Sequence, residues 1–433
     1  MKILVLGSGG REHAIIWTLR RTSSAPLDLY CAPGNGGISQ LAKTVAISPM
    51  DHSELIRFVE TERIGLTIVG PEAPLAAGVV DALESQGHAM IGPSKAASCL
   101  ESSKATAKDF MARHRIPTAR YRVADSSGAA IEFLRSGEFG QADNPVVIKA
   151  DGLAAGKGVI VAGSRFEAQR AVEKLTSGEI ISTEAAQRIV IEEALQGTEA
   201  SVLVFADGRD YVVMPPARDH KRVGENDTGP NTGGMGAITD LSIMNESTLS
   251  QVVHKVIEPT LEGAHADGFT FRGILFVGLM LTTEGPKVLE YNVRFGDPEA
   301  QAILVRLESD LLSVFEAVTS GSLRNLHVKW RHGASACVVL ASGGYPGQYR
   351  TGFKIQGLSG PGPNQVQVFH SGTSITDQGD FLTAGGRVLG ITATGETLSE
   401  ALSRCYAATE DISWEGMQYR GDIGRFRKAG SAE

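Results

Sequence analysis

The sequence predicts an α/β protein in three parts: an N-terminal parallel-sheet βαβ domain over residues 1–103, a mixed α+β core over 104–326 and a small β-rich C-terminal domain over 327–433. Three observations predict this. Between Met1 and about Ile91, short apolar runs alternate with amphipathic stretches, which is the pattern of βαβ units on a parallel sheet. Between Tyr121 and Val293, strand-like runs are joined by polar, glycine-rich connections. From about Leu326 the texture is β again. A chain of 433 residues also exceeds what one hydrophobic core supports.

The elements follow in order. Lys2–Leu6, Leu27–Cys31, Leu66–Val69 and Ala89–Ile91 read as strands, and Glu12–Arg20, Ser53–Glu60 and Pro74–Ser85 as the helices between them. Functional loops of such sheets lie at the carboxyl ends of strands. Those loops are Gly7–Glu12, Pro33–Gly37 and Gly70–Pro74, all shaped by glycine or proline. A helix over Ser103–His114 leads into strands at Val146–Lys149, Val159–Val161 and Ile189–Ile191, with a helix at Glu167–Lys174. Strands at Ala200–Phe205 and Asp210–Met214 precede a polar loop from Pro215 to Gly236, long enough to be read as functional. A helix from about Ser247 to Ala266, strands at Arg272–Leu281 and Pro286–Val293, and a helix from Pro298 to near Thr319 complete the core. The last part carries strands near Ala334–Leu340, Val366–Ser371 and Arg387–Thr394, then a helix over Thr397–Ile412.

Bulk properties exclude several classes. The net charge is −8 without a long basic or acidic run, so there is no electrostatic footprint for nucleic acid. Cys31, Cys99, Cys337 and Cys405 are widely spaced, form no CxxC pair and read as thiols of a reducing compartment. The apolar run Ile3–Leu6 is too short for a signal peptide and no run approaches ~20 apolar residues, so a cytoplasmic protein without a membrane role is expected.

Five segments carry candidate chemistry. In Val288–Glu299, side chains alternate along a strand, which puts Glu290, Asn292 and Arg294 on one face. A carboxylate and an amide oxygen suit Mg²⁺, and the guanidinium suits an anion; a surface ion pair is the plain alternative. In Val147–Val159, Lys149 ends a strand and the small-residue loop Gly152–Gly158, with Lys157, turns into the next strand. Glycine amides and lysines there suit phosphate, although a flexible hairpin would look similar. Ile189–Glu199 ends a buried strand in Glu192 and Glu193, with Glu199 seven residues beyond Glu192. Its spacing permits adenine and ribose contacts, and equally a solvated acidic turn. The stretch Pro216–Arg222, with Asp219, His220 and Lys221, leads to Asn231-Thr232-Gly233-Gly234-Met235-Gly236, which could close over an anion. Gly7–Glu12 places Glu12 where a dinucleotide motif needs its third glycine. A nicotinamide cofactor is therefore not expected, and the loop reads as a monophosphate site at a helix N-terminus.

Taken together, these segments resemble the ATP-grasp ligases, and specifically the phosphoribosylamine–glycine ligase (glycinamide ribonucleotide synthetase) family. The resemblance runs nearly end to end, through Gly7–Ala14, Ile148–Gly158, Asp219–Arg222, Gly229–Gly236, Arg294–Glu299, Gly343–Gly347, Gly385–Leu389 and Asp422–Gly424. It implies a two-part ATP-grasp core with a small lid subdomain at about 122–193. The implied reaction is ATP-dependent joining of glycine to 5-phosphoribosylamine through a glycyl phosphate, in purine biosynthesis, with ATP and Mg²⁺ or Mn²⁺. Lys149, Arg294 and Asp219 would carry the chemistry. Lys104, Lys149 and the loop Gly152, Gly156, Lys157 and Gly158 would meet ATP phosphates. Glu192 would accept from the adenine amino group, the backbone of Glu193, Ala194 and Leu195 would complete that site, and Glu199 would hold the ribose. Glu290 and Asn292 would ligate the metal. Gly9, Gly10, Arg11, Asn35 and Glu72 would cradle phosphoribosylamine, and His220, Lys221, Asn231, Thr232 and Gly233 would face the acceptor substrates. A monomer or weak dimer acting on small molecules is expected. The chain departs from the family pattern at Gly273–Leu281, which carries no acid, at Glu225-Asn226-Asp227 and at Ala237–Asp240. Rival readings are another carboxylate–amine ligase and a non-catalytic nucleotide-binding regulator.

Overall fold

The computed structural model describes residues 1–154, 156–358 and 366–425; Ala155 of the glycine loop lies outside the described residues. The N-terminal sheet has five parallel strands in the order Lys43–Thr44, Asp28–Pro33, Lys2–Gly7, Leu66–Val69, Met90–Ile91. Its central strand is apolar on both faces because helices cover both. Leu4 and Leu6 pack into one core, Ile3 and Val5 into another. The single helix expected over Pro74–Ser85 is two, Glu72–Ala77 and Val79–Glu84, divided at Gly78. An unanticipated helix, Lys95–Ser102, runs directly into Lys104–Arg113, whose N-cap Ser103 accepts from the Thr106 amide.

A four-stranded antiparallel sheet, ordered Tyr121–Ala124, Ile189–Glu193, Val146–Ala150, Val159–Ala162, forms a separate small body. Helices Ser127–Arg135 and Arg165–Thr176 cover it, and it has its own apolar cluster around Val146, Ile148, Val172 and Ile191.

The remaining large sheet has nine strands. Its path runs Gly285–Asn292, Arg272–Thr282, Thr198–Asp207, Ala217–Asp219, Gly236–Thr239, Ala334–Ala341, Arg387–Gly395, Val366–His370, with Tyr211–Val213 paired beside Thr198–Asp207. One expectation changes here. The stretch Pro215–Gly236 is not an open loop: it contributes Ala217–Asp219 to the large sheet and a small ribbon, Arg222–Gly224 with Thr228–Asn231. Few apolar side chains mark these strands, because their pairing partners, not their own burial, hold them. The C-terminal strands Ala334–Ala341, Arg387–Gly395 and Val366–His370 join the large sheet, while Thr373–Ile375 and Phe381–Thr383 form a small two-stranded sheet. Gly236–Thr239 pairs with Ala334–Ala341, so one sheet crosses from the core into the C-terminal part.

The helix from Glu246 to Ala266 carries a π-turn at Val253–Ile257, just ahead of Pro259. Proline lacks an N–H and crowds the carbonyl four residues earlier, and the wider turn relieves both. The run after Pro298 is two helices, Glu299–Leu304 and Leu311–Ser320. Among the described residues, no helix is long and apolar enough to cross a membrane.

Candidate active site

The strand Gly285–Asn292 pairs with Arg272–Thr282 regularly except at one place: Gly278 faces Glu290, while Leu279 faces Val288. Leu289 is the extra residue of a β-bulge, a device that re-aims side chains beside active sites. Val288, Tyr291 and Val293 are buried in the core. Glu290, Asn292 and Arg294 therefore share the other face, and the Arg294 guanidinium donates to Asn292 Oδ1 at 3.2 Å. The carbonyl displaced by the bulge is used as well. Lys149, from the small sheet, donates to the Leu289 oxygen at 3.0 Å, which joins the two sheets at the candidate phosphate lysine and the candidate metal strand.

Charge is concentrated around that junction. Burial alone would raise the Glu290 carboxyl, but Lys221, Lys149, Lys104 and Arg294 outweigh it and hold it below its ordinary value. Lys221 pairs with Glu199 at 3.1 Å, and Asp219 and Glu199 raise its ammonium well above the usual range. Asp219 is pushed up by burial, Lys221 opposing and Glu199 and Glu290 reinforcing. Glu299 is pushed up to about 8, first by burial and then by Asp219. Lys104 reaches the Gly152 carbonyl at 3.2 Å. A charged carboxylate and an amide oxygen on one strand face, ringed by cations, fit a Mg²⁺ that takes its other oxygens from phosphates and water. Among the described residues no three His, Cys, Asp or Glu side chains form a metal cage.

Several expected site residues have partners within the protein. The Glu192 side chain is 2 % exposed, with Lys108 at 3.0 Å and Lys149 at 2.8 Å. Alternation along its strand sends Ile189 and Ile191 into the apolar cluster and Glu192 to the opposite face, where the two ammonium groups offset its desolvation. His220 points away from Asp219 and Lys221, as strand alternation requires. It is buried, accepts from the Gly424 amide at 2.9 Å, and is pushed down to about 4 by burial and by Arg420. It ties the C-terminal segment to the core. Asn35 has no spare capacity. Its amide donates to the Ser8 and His370 carbonyls, both at 2.8 Å, and its oxygen accepts from the Gly37 and Ile38 amides.

The first loop, read as a monophosphate site, has carboxylates of the protein beside its helix N-terminus. At the N-terminus of helix Gly10–Thr22, Glu12 accepts from the Gly9 amide and Asp297 from the Arg11 amide, so two carboxylates occupy the anion position. The Arg11 guanidinium turns inward to Glu12 at 2.6 Å and to the Phe295 carbonyl at 3.1 Å. A Cβ at Gly10 would stand 2.4 Å from Gln301 Nε2, so that side chain would have to move. Glu72 keeps a place at the cleft. Burial would raise it, but Arg294, 3.3 Å away, and Arg11 hold it below its ordinary value. Thr232 Oγ1 donates to the Lys221 carbonyl and accepts from the Gly234 amide, which gives Asn231–Gly234 its shape beside Lys221. Lys157 is exposed on the small body, and Glu193 pairs with Arg120 at 2.8 Å.

Residues that the motifs did not point to complete the framework. Glu101, buried, accepts from the Val293 amide at 2.8 Å and from Arg294 at 2.7 Å, so it sets the end of the metal strand. Lys108 neutralises Glu192. Asp151 accepts from Ser103 Oγ, the Ala105 amide and Arg188, and so fixes the hinge between helix Lys104–Arg113 and the small body. Lys108 sits in a helix whose pattern reads as an ordinary amphipathic face, and Glu101 lies in the unanticipated helix. Asp151 was legible only as part of the glycine loop.

Comparison with known proteins identifies the family. Three family descriptions match consecutive stretches: "Phosphoribosylglycinamide synthetase, N domain" over 1–101, its "ATP-grasp (A) domain" over 102–300 and its "C domain" over 335–426. A phosphoribosylamine–glycine ligase of Salmonella typhi is 47 % identical over 429 residues, covering 98 % of each chain. That of Escherichia coli K12 is 46 % identical over the same length. The crystal structure of the Thermotoga maritima phosphoribosylamine–glycine ligase superposes with a TM-score of 0.83 at 33 % identity, over 97 % of this chain and 99 % of that one. A Campylobacter jejuni biotin carboxylase shares the fold alone, with a TM-score of 0.71 at 16 % identity over 96 % of this chain and 92 % of that one.

Proposed function

The chain belongs to the phosphoribosylamine–glycine ligase family, and on that premise we propose that the cleft between its small and large sheets joins glycine to 5-phosphoribosylamine at the expense of ATP. The observation that carries the assignment of roles is the Lys149–Leu289 contact, which sets a phosphate-type lysine directly against the Glu290/Asn292 strand. ATP lies along this junction, its phosphates near Lys104, Lys149 and the loop from Gly152 to Gly158, with Lys157 free to reach them. Adenine meets the backbone of Glu193, Ala194 and Leu195, and Glu199 holds the ribose. Glu192 acts indirectly, by holding Lys149.

A carboxylate is a poor electrophile, so the glycine carboxylate oxygen first attacks the γ-phosphorus, the bond to ADP breaks, and glycyl phosphate forms. The phosphoribosylamine nitrogen then attacks the carbonyl carbon, phosphate leaves, and the amide of glycinamide ribonucleotide remains. The protein positions reactants and offsets charge; it supplies no covalent group. Lys149 and Lys221 spread the developing negative charge. Asp219, held next to Lys221, and Arg294, braced by Glu72 and Glu101, orient the acceptor end. Glu290 and Asn292 would hold Mg²⁺, or Mn²⁺ in its place, which supplies charge neutralisation at the phosphates when bound. The small body, with its separate core, closes over the acyl phosphate and excludes water.

We assign residues 1–103 to the acceptor side, 104–326 to ATP and chemistry, and 327–433 to support of the acceptor loop. The enzyme works in the cytoplasm on small molecules, as a monomer or weak dimer. The test is ADP release with Mg·ATP while glycine and phosphoribosylamine are omitted in turn. Dependence on both is expected. Turnover with neither, or with another amine only, would refute the substrate assignment.

A further inference from the structure

The loop that follows Asn231 is gripped from the C-terminal part of the chain, 154 positions away in the case of Arg387 and Gly233. Arg387 Nη1 donates to the Gly233 and Asp297 carbonyls, both at 2.6 Å, and lies 3.5 Å from the Gly234 carbonyl. Its Nη2 pairs with the Asp297 carboxylate at 3.4 Å. The Gly233 amide, on the opposite side of the same residue, donates to the Tyr345 hydroxyl at 3.1 Å. Gly233 is thus held at both its N–H and its C=O by two side chains of the last domain. One guanidinium spans the acceptor loop and the Asp297 turn that follows the metal strand, a use for which a planar fork of donors is suited.

This platform meets the small body. A Cβ at Gly156 would stand 3.1 Å from the Thr232 carbonyl oxygen and 3.8 Å from the Gly233 amide nitrogen, so the phosphate loop rests against the segment that Arg387 and Tyr345 hold. Gly156 adopts φ +78, which a side-chain-bearing residue rarely takes, and a Cβ there would be a tight contact with Thr232.

We propose that Arg387 and Tyr345 are positioning residues: they fix Thr232-Gly233-Gly234 as the surface on which the phosphate loop seats, so that the acyl phosphate meets the amine and not water. The inference rests on the ligase reading above. Without the seat, a water oxygen bonds to the glycyl carbonyl carbon, the carbon–oxygen bond to phosphate breaks, and glycine and phosphate are regenerated. ATP is then consumed with no amide formed.

The measurement is ADP released per amide formed, with ATP, glycine and phosphoribosylamine all present, for the parent, Arg387→Ala, Arg387→Lys and Tyr345→Phe. In the parent the ratio should be unity. In Arg387→Ala it should rise roughly fivefold or more, the change in a loop equilibrium that loss of one charge-assisted hydrogen bond produces. Millimolar guanidinium should lower the ratio again in Arg387→Ala but not in the parent. Arg387→Lys, which keeps the charge but not the fork, should resemble Arg387→Ala. Tyr345→Phe removes one acceptor and little volume, and should raise the ratio with the thermal midpoint retained; it decides the matter if Arg387→Ala fails to fold. A ratio that stays at unity in the folded variants, however slow their turnover, overturns the proposal. A parent with no turnover dependent on both substrates would instead refute the ligase reading, so the two failures are distinct.

Discussion

Replacing Glu192 with glutamine removes the anion lying between two buried ammonium groups, Lys108 at 3.0 Å and Lys149 at 2.8 Å, with all three side chains at most 6 % exposed. Breaking a buried pair from one side costs about 3–5 kcal/mol, because the remaining charge stays in a low-dielectric setting without its partner. Lys149 retains its bond to the Leu289 carbonyl and Lys108 its bond to Thr118 Oγ1, so the lower end of that range is expected. The cost depends on pH in a definite direction. Burial already pushes Lys108 down to about 8, against the pull of Glu192. Its folded pKa lies below its ordinary value, so the folded state binds fewer protons between the two and stability rises with pH across that window. Without Glu192 the folded pKa falls further. The variant's deficit is therefore full in mild acid and narrows as pH rises through about 8, where Lys108 is neutral in both proteins. Hydrogen exchange of the peptide covering Ile189–Glu193, compared with the parent at about pH 6 and about pH 9, reads this local opening. The KM for ATP should rise in the same variant, since Lys149 loses its brace. A deficit that is absent, or equal at both pH values, would refute the account of Glu192 as the counter-ion of the two lysines.

Three further outcomes are expected. Glu290→Ala should abolish ATP turnover while the thermal midpoint stays near the parent's, and an active variant would remove the metal assignment. Glu299, pushed up to about 8 by burial and Asp219, is largely protonated at neutral pH in the folded protein, so its contribution weakens as pH rises from the ordinary carboxylate range through about 8. Glu299→Gln should therefore differ least from the parent near pH 4 and gain in thermal midpoint relative to it as pH rises toward 9; the opposite order would disprove the burial of a neutral acid. Asn35→Ala, which abandons four hydrogen bonds linking two N-terminal loops to the His370 carbonyl, should lower stability by about 1–3 kcal/mol, as expected for buried polar groups left unpaired. The KM for phosphoribosylamine should not change selectively; a selective rise with unchanged stability would restore Asn35 as a substrate contact.

The sequence by itself determined what depends on local periodicity and local chemistry. Alternation along Val288–Val293 put Glu290, Asn292 and Arg294 on one face, the apolar run Leu66–Val69 was a strand from end to end, and the glycine loop after Lys149 joined strand to strand. Only the tertiary structure decided where polar side chains spend their hydrogen bonds. Arg11, Asn35, Glu192 and His220 carry groups suited to ligands, and each is committed instead to protein partners that come from distant segments or lie buried beside it. It also decided the bulge at Leu289, since a register shift exists only relative to the paired strand, and the single sheet that runs into the C-terminal part. Arg387 and Tyr345 belong to the same class. Both lie in segments that carry the family resemblance, but the sequence does not show their role, because a guanidinium acquires one only when folding delivers several carbonyls within its reach.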